Sequence, residues 1–178
     1  VKKTEQKTDT EVKTVKKEEW VGDENYKAYI IGLTNDKLVA KGGEKIKFFV
    51  TFNNSGKKTW NSYVWREDGS YIKNDTSGLN TKDINIGDES WLTDKKIKTG
   101  STTVKNEQVL HINFNFRTPV KKGNYLAKFK LSVDGNYING GSFELPIEVT
   151  ADAPVNYTTP VLTVDSGARE LVKEQNIK

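Results

Sequence analysis

The sequence predicts an all-β fold, an immunoglobulin-like antiparallel β-sandwich of about seven strands. Three observations favour it. Four segments alternate apolar and polar residues with a period of two, as half-buried strands do. Turn signals rich in glycine and asparagine separate these segments, and residues 20–150 carry no convincing helical pattern. About seven short strands in roughly 125 residues are typical of two sheets packed face to face.

The strands are predicted in chain order at 26–33, 37–40, 46–53, 60–66, 91–98, 110–117, 125–134 and 143–150. The turn signals between them are Gly42-Gly43, Asn54-Ser55-Gly56, Asp68-Gly69, Lys122-Gly123-Asn124, Asp134-Gly135-Asn136 and Gly140-Gly141. Asp134-Gly135-Asn136, between two strong runs, predicts a hairpin. Pro146 predicts an edge strand or a bulge, because proline cannot donate a ladder hydrogen bond. Since the chain has no cysteine, aromatic rings are expected to replace a disulfide between the sheets.

The two ends of the chain differ from its middle. Residues 1–19 are nearly all charged or polar, which predicts a disordered tail, with a charged helix docked on a partner as the alternative. Residues 151–178 contain Pro154 and Pro160, which predict an extended linker. Within that linker, Ala168, Leu171 and Val172 have the spacing of a short helix. The domain prediction is therefore a sandwich over 20–150 between a tail and a linker.

Composition excludes several classes of function. The net charge of +4 is spread evenly along the chain, so the sequence predicts no nucleic-acid partner, which needs clustered basic residues. No apolar run approaches the ~20 residues of a membrane span, so no membrane insertion is predicted. The chain has no cysteine and one histidine, which excludes thiolate and multi-histidine zinc sites within it. No cofactor is predicted.

Two segments carry a resemblance to a known family. Residues 50–65 hold a strand, the turn Asn54-Ser55-Gly56 and then Trp60, with Trp65 near the place of a second family tryptophan. Residues 112–149 hold Pro119 to Gly123, Tyr125, Phe129 with Leu131, Gly140-Gly141 and a final apolar strand. Together these segments resemble the Ig-like four-tryptophan domain of autophagy receptors and of bacterial surface and cell-wall proteins. The resemblance covers about 44–150.

The chain departs from that family at two tryptophan positions, which fall near Phe129 and near Phe143-Glu144. It also carries an apparent insertion over 67–100, which contains Trp91. The resemblance implies a binding or spacer module with no catalytic residues to transfer. Other Ig-like surface modules, including bacterial adhesion repeats, share the Asn-x-Gly turn and are the alternative.

The aromatic residues are the predicted binding candidates, with core packing as the alternative for each tryptophan. They are Trp60, Tyr63, Trp65, Tyr71 and Trp91. In a regular strand, Trp60 and Trp65 point to opposite faces, so one is expected in the core and the other exposed or under a loop. Trp91 and Tyr71 are expected to cover one end of the sandwich or to form a contact.

Catalysis and metal binding have weaker support. His111 is the only imidazole and lies on the polar face of a predicted strand, so we expect it to face solvent or a sheet edge. The acidic pairs Glu67-Asp68 and Asp88-Glu89 are adjacent, and adjacent strand residues point to opposite faces. Oxygen-rich residues 74–94 suggest calcium, with Asp83, Asn85 and Asp88 as candidate ligands. The segment misses the EF-hand pattern, and an ordinary loop rich in Asn and Asp is the alternative.

These observations predict a non-catalytic Ig-like interaction module of a bacterial cell-surface or secreted protein, which binds or positions a protein partner. A carbohydrate- or cell-wall-binding accessory domain of a larger envelope enzyme is the alternative, as is a structural spacer. The expected ligand is thus a protein or a cell-wall polysaccharide. The sequence leaves the oligomeric state open.

Overall fold

The computed structural model describes residues 24–73 and 84–165, and within these ranges the chain forms nine β-strands and no helix. The strands are β1 (Ala28–Leu33), β2 (Leu38–Ala40), β3 (Lys45–Asn54), β4 (Tyr63–Glu67), β5 (Tyr71–Ile72), β6 (Lys96–Gly100), β7 (Val109–Arg117), β8 (Gly123–Val133) and β9 (Asn136–Val149). In the described part of the chain no helix is long and apolar enough to cross a membrane.

These strands form two sheets. The smaller sheet has the order β1-β3-β7, and the larger has the order β2-β9-β8-β4-β6, with β5 pairing β8 beyond the end of β4. All the strand pairs are antiparallel except β2 with β9. The predicted all-β sandwich is confirmed. The structure has nine strands rather than about seven: eight correspond to the eight predicted segments, and the ninth, β5, is a two-residue strand that no alternation could reveal.

Aromatic rings join the two sheets at the centre of the core. Trp65 on β4 lies 5.7 Å from Phe129 on β8 and 5.7 Å from Phe52 on β3, measured between ring centroids. Phe114 on β7 adds an edge contact at 5.6 Å. All four side chains are buried. The prediction that rings take the place of an inter-sheet disulfide is confirmed.

The Asn-x-Gly turn after β3 is held by hydrogen bonds from the Asn54 side chain to neighbouring loops. Asn54 is fully buried, and its Nδ2 donates to the backbone carbonyls of Lys58 and Val104, both at 2.9 Å. Its Oδ1 accepts from the Gly56 backbone N–H at 3.0 Å. Gly56 is required because a Cβ there would lie 2.4 Å from the backbone oxygen of Asn25. One amide therefore ties two loops to the end of β3.

We expect Asn54→Ala to destabilise the protein by about 2–3 kcal/mol, because it leaves buried backbone groups unsatisfied. Urea denaturation of the variant and the wild type measures the difference. Asn136→Ala is a matched control, because Asn136 is exposed in the β8–β9 turn and its Nδ2 makes one local bond to Asp134. Equal losses of unfolding free energy in Asn54→Ala and Asn136→Ala would contradict this account of the turn.

Two further sequence signals are explained by local geometry. Tyr125, near the start of β8, donates its hydroxyl to the carbonyl of Lys121 at 2.6 Å, an arrangement known as a tyrosine corner in Ig-like sandwiches.

Pro146 lies in β9 one residue before the pairing with β2 begins at Ile147. Among the described residues it therefore pairs with β8 on one side and with no strand on the other, which is the edge-like position that proline requires.

Two segments outside the strands complete the sandwich. Residues 84–95, here the covering loop, lie along the side between β6 and β7, where Ile86 and Trp91 are buried in the core. Residues 157–165, here the strap, have no regular secondary structure and lie over that loop. The predicted tail at 1–19 and the predicted helix near 168–172 lie outside the described residues. The described part of the predicted linker, 151–165, lies against the sandwich.

Candidate interaction surface

Four of the five predicted binding residues lie in the core. Trp60, Tyr63, Trp65 and Trp91 are each at most 8% exposed. Of the two alternatives for the second tryptophan, exposed or under a loop, the exposed one does not hold, because Trp60 and Trp65 are both buried. β4 begins only at Tyr63, and Trp60 lies before it in an isolated bridge to Val104. Strand alternation therefore does not connect the two tryptophans, and both side chains point inward.

Trp91 closes the open side of the sandwich. Its Nε1 donates to the carbonyl of Asn115 on β7 at 2.6 Å. Lys98 Nζ on β6 donates to the carbonyl of Asn113 at 3.0 Å. Side-chain donors thus occupy backbone acceptors on the outer edge of β7, a protection that edge strands commonly need. Trp91 was expected to cover one end of the sandwich or to form a contact; it lies instead along the side, beside β7.

Tyr71 is the one predicted binding residue that stays partly exposed. It lies on the larger sheet, where the ammonium group of Lys128 lies 5.9 Å from its ring centroid. The exposed Tyr137 has the same kind of neighbour, with Lys130 Nζ at 4.1 Å. On the larger sheet, then, Tyr71 and Tyr137 each have a cation near the ring, while Val39 on β2 and Ile72 on β5 are exposed without one.

The candidate calcium ligands do not converge in the described residues. Asp83 lies outside them. Asn85 Oδ1 accepts from the backbone N–H of Gly87 at 2.9 Å. Asp88 Oδ2 accepts from the N–H and hydroxyl of Ser90, and its Oδ1 accepts from Arg117 Nε at 3.1 Å. No group of three acidic or histidine side chains in 24–73 and 84–165 has the arrangement of a metal site.

Asp88 instead belongs to an ion cluster that anchors the covering loop. Arg117 at the end of β7 bonds to Asp88, to the carbonyl of Gly43 at 3.3 Å and to both carboxylate oxygens of Glu89. Lys45 Nζ reaches Glu89 at 3.2 Å. A backbone hydrogen bond, with hydrogen bonds from Arg117 and Lys45, lowers the pKa of Glu89 to about 2. The acidic residues of this segment thus have a structural role.

The outer face of the smaller sheet carries a cluster of exposed apolar side chains. Its exposed large side chains are Tyr29 and Ile31 on β1 and Val109 on β7, each close to 50% exposed. Phe49 on β3 is half-buried among them and lies 5.1 Å from the His111 ring. Thr51 and His111 join across the strands through a 2.6 Å hydrogen bond. We call these six residues the neutral face.

One buried polar atom lies within this surface without a partner. Asn53 on β3 stands between Tyr29 and Val109 in the strand register. Its side chain is buried, and its Nδ2 makes a long bond of 3.4 Å to the carbonyl of Glu107. Its Oδ1 has no hydrogen-bond partner among the described residues. Such an acceptor costs free energy while it has no partner; because it is buried, a ligand N–H or O–H reaches it only if the side chains above it move aside.

The neutral face was missed by the sequence analysis, although one signal for it was present. His111 was predicted to face solvent or a sheet edge, and it lies exposed on this face. Phe49 falls at a polar position of the alternating run in 46–53, where an aromatic ring must face outward. Tyr29 and Ile31 could not be assigned to a face, because the register of β1 shifts between Ile30 and Gly32.

Comparison with known proteins gives no family. No family model and no curated protein matches the chain. The CARDB domain of the PF1109 protein from Pyrococcus furiosus, solved in complex with di-metal ions, is 14% identical with a TM-score of 0.45, over 72% of this chain and 97% of that one. The seventh PapD-like domain of human CEP192 is 12% identical with a TM-score of 0.37, over 80% and 97%. The human F-spondin reeler domain is 13% identical with a TM-score of 0.39, over 72% and 97%.

At these TM-scores the likeness is too distant to support an argument. The fold assignment therefore rests on the strand order and the core of this chain. The resemblance to the four-tryptophan domain stays a prediction.

Proposed function

We propose that the chain is a non-catalytic Ig-like interaction module of a bacterial cell-surface or secreted protein, and that it binds a protein partner through the neutral face. The observation that carries the proposal is the group of exposed apolar side chains on one outer sheet face, together with the unpartnered Asn53 Oδ1 beneath them. The bacterial surface setting rests on the Cys-free, Lys-, Asn- and Thr-rich composition.

The size of the neutral face fits the centre of an interface. Three strands about 5 Å apart, over about five residues of ~3.3 Å each, cover roughly 250 Å². A stable protein interface buries about 800 Å² on each partner, and its apolar centre is surrounded by a polar rim. Lys47, Asn113 and Asn115 on the same sheet face supply rim residues. The partner we expect is uncharged at its centre.

We expect Ile31→Lys to abolish partner binding without unfolding the protein, because it places a charge within the neutral face, on its edge strand β1, where the side chain is already half exposed. The test immobilises the full chain and captures proteins from the envelope and extracellular fractions of the source cells. Val39→Lys is the matched control, since Val39 is as exposed but lies on β2 of the other sheet. A partner that is retained equally by both variants would overturn this surface.

The same protein variants also test the two alternative functions, a cell-wall-binding domain and a structural spacer. Cosedimentation with purified peptidoglycan that is lost in Ile31→Lys supports the cell-wall-binding function. Failure of every capture and sedimentation test supports a spacer. Trp91→Ala is unsuitable for either test, because Trp91 is buried and closes the sandwich.

A further inference from the structure

The strap lies in a groove on the covering loop. The groove is lined by Ile84, Ile86, Gly87 and Trp91. Leu162 of the strap points into it and packs against the core, with its Cδ1 so close to Gly87 that a Cβ there would lie 2.6 Å away. The absence of a side chain at Gly87 therefore leaves the space that the Leu162 side chain occupies.

The strap is held at a second point, three residues further along. Asp165 Oδ2 accepts from Arg66 Nη1 at 2.9 Å, and both side chains are largely buried. The backbone N–H of Asp165 donates to Asp94 Oδ1 at 2.8 Å, and the carbonyl of Thr163 accepts from the Asp94 N–H at 2.8 Å. The groove thus recognises an apolar side chain, a main-chain carbonyl and a carboxylate in a fixed order.

The strap fills this groove incompletely. A cavity of about 320 Å³ remains, with Pro160 and Leu162 as one wall and Trp91, Ile86 and the ion pair of Glu67 with Lys95 among the others. This cavity is open to solvent on one side. The groove therefore has room for a side chain larger than leucine.

The strap also differs from the rest of the fold in how it is attached. It belongs to neither sheet. Val161 and Val164 on either side of Leu162 point to solvent, with Val161 almost fully exposed. Segments with few buried apolar contacts and few ladder bonds open at low free-energy cost. The strap is consequently the described segment that we expect to detach first from this side of the sandwich.

We propose that this groove is a docking site for an extended peptide segment, which presents an apolar side chain and, three residues later, a carboxylate, and that the strap is a competing occupant built into the same chain. Arg66 selects the carboxylate, and Asp94 fixes the peptide backbone between the two anchors. A partner with a larger side chain at the leucine position uses the cavity that the strap leaves empty. The proposal is independent of the neutral face, which lies on the other sheet.

The test uses the full chain with a weakened strap. Leu162→Ala with Asp165→Ala removes both anchors of the strap and leaves every groove residue native. The probe is a fluorescent synthetic peptide of residues 157–165, followed by anisotropy. We expect saturable binding to the double variant. Binding to the wild type should be weaker by at least about tenfold, because the tethered strap competes at an effective concentration near the millimolar range.

Two matched controls make the result specific. Val161→Ala with Val164→Ala changes the strap side chains that face solvent, so this chain should exclude the probe as the wild type does. A probe that carries Leu162→Asp should not bind the double variant. Equal binding of the probe to wild type and double variant, or equal binding of the altered probe, overturns the proposal.

A second measurement needs only the wild-type chain, so it tests the proposal even if the double variant does not fold. Amide hydrogen exchange on the wild type should show the two hydrogen-bonded amides that hold the strap, Asp165 to Asp94 Oδ1 and Asp94 to the Thr163 carbonyl, exchanging faster than the β3-paired amides of β7. Exchange of the strap as slow as that of β7 shows an integral, non-releasable element and overturns the proposal by itself.

Discussion

Replacing Trp65 by alanine is expected to lower the free energy of unfolding by about 3–5 kcal/mol, the range for removing a large buried aromatic side chain. Trp65 is fully buried and contacts rings from β3, β7 and β8, so its loss opens a cavity between both sheets. Since small domains have total stabilities of about 5–15 kcal/mol, a loss of this size should lower the urea midpoint of unfolding clearly. Urea denaturation followed by circular dichroism measures the loss.

Trp65→Phe is the control for this prediction. The indole Nε1 of Trp65 has no hydrogen-bond partner among the described residues, so phenylalanine loses ring volume but no hydrogen bond. The loss in Trp65→Phe should therefore be well below that in Trp65→Ala. If Trp65→Ala costs less than about 1 kcal/mol, the aromatic cluster does not replace a disulfide as argued here, because a single surface substitution has effects of that order.

Replacing Arg117 by alanine is expected to cost about 3 kcal/mol, at the low end of the range for breaking a buried ion pair. Asp88 is fully buried, and without Arg117 it keeps only Ser90 and the more distant Lys45, whose Nζ lies 3.7 Å away. The variant should also loosen the covering loop, so amide exchange at Ile86 and Trp91 should rise before global unfolding. Denaturation and exchange experiments together measure both effects.

Glu89→Gln distinguishes the contribution of the buried Arg117–Asp88 pair from that of the exposed Arg117–Glu89 pair. Glu89 is mostly exposed, and exposed ion pairs contribute little, so this variant should be much less destabilised than Arg117→Ala. Losses of similar size would show that the exposed carboxylate, rather than Asp88, holds the loop in place.

The strands were predictable because burial of one sheet face imposes a period of two on the sequence. The run 46–53 became β3 (Lys45–Asn54), and 110–117 became β7 (Val109–Arg117). The pattern failed where the backbone is irregular. Trp60 lies before β4, and the segment predicted as a strand at 91–98 is mostly loop until Lys96, because side-chain contacts rather than a ladder fix Trp91.

The candidate surfaces were less predictable than the fold. A neutral face is a property of three strands in register, and the β1 shift after Ile30 changes which side chains point outward. The strap has no periodic pattern, and its position depends on Leu162, Asp165 and partners about 70 to 100 residues away in the sequence. Such long-range contacts between irregular segments leave no local signal. Phe49, an apolar residue at a polar position, was the one local sign of the neutral face.

The most direct test of the proposed function is an amide-exchange footprint of the wild-type chain with and without its captured partner. We expect protection of β1 near Tyr29 to Gly32 and of the Val109 to Asn113 edge of β7, with little change on the outer face of β8 and β9. Protection confined to the larger sheet, with none on β1 or β7, would contradict the claim that the neutral face is the binding surface.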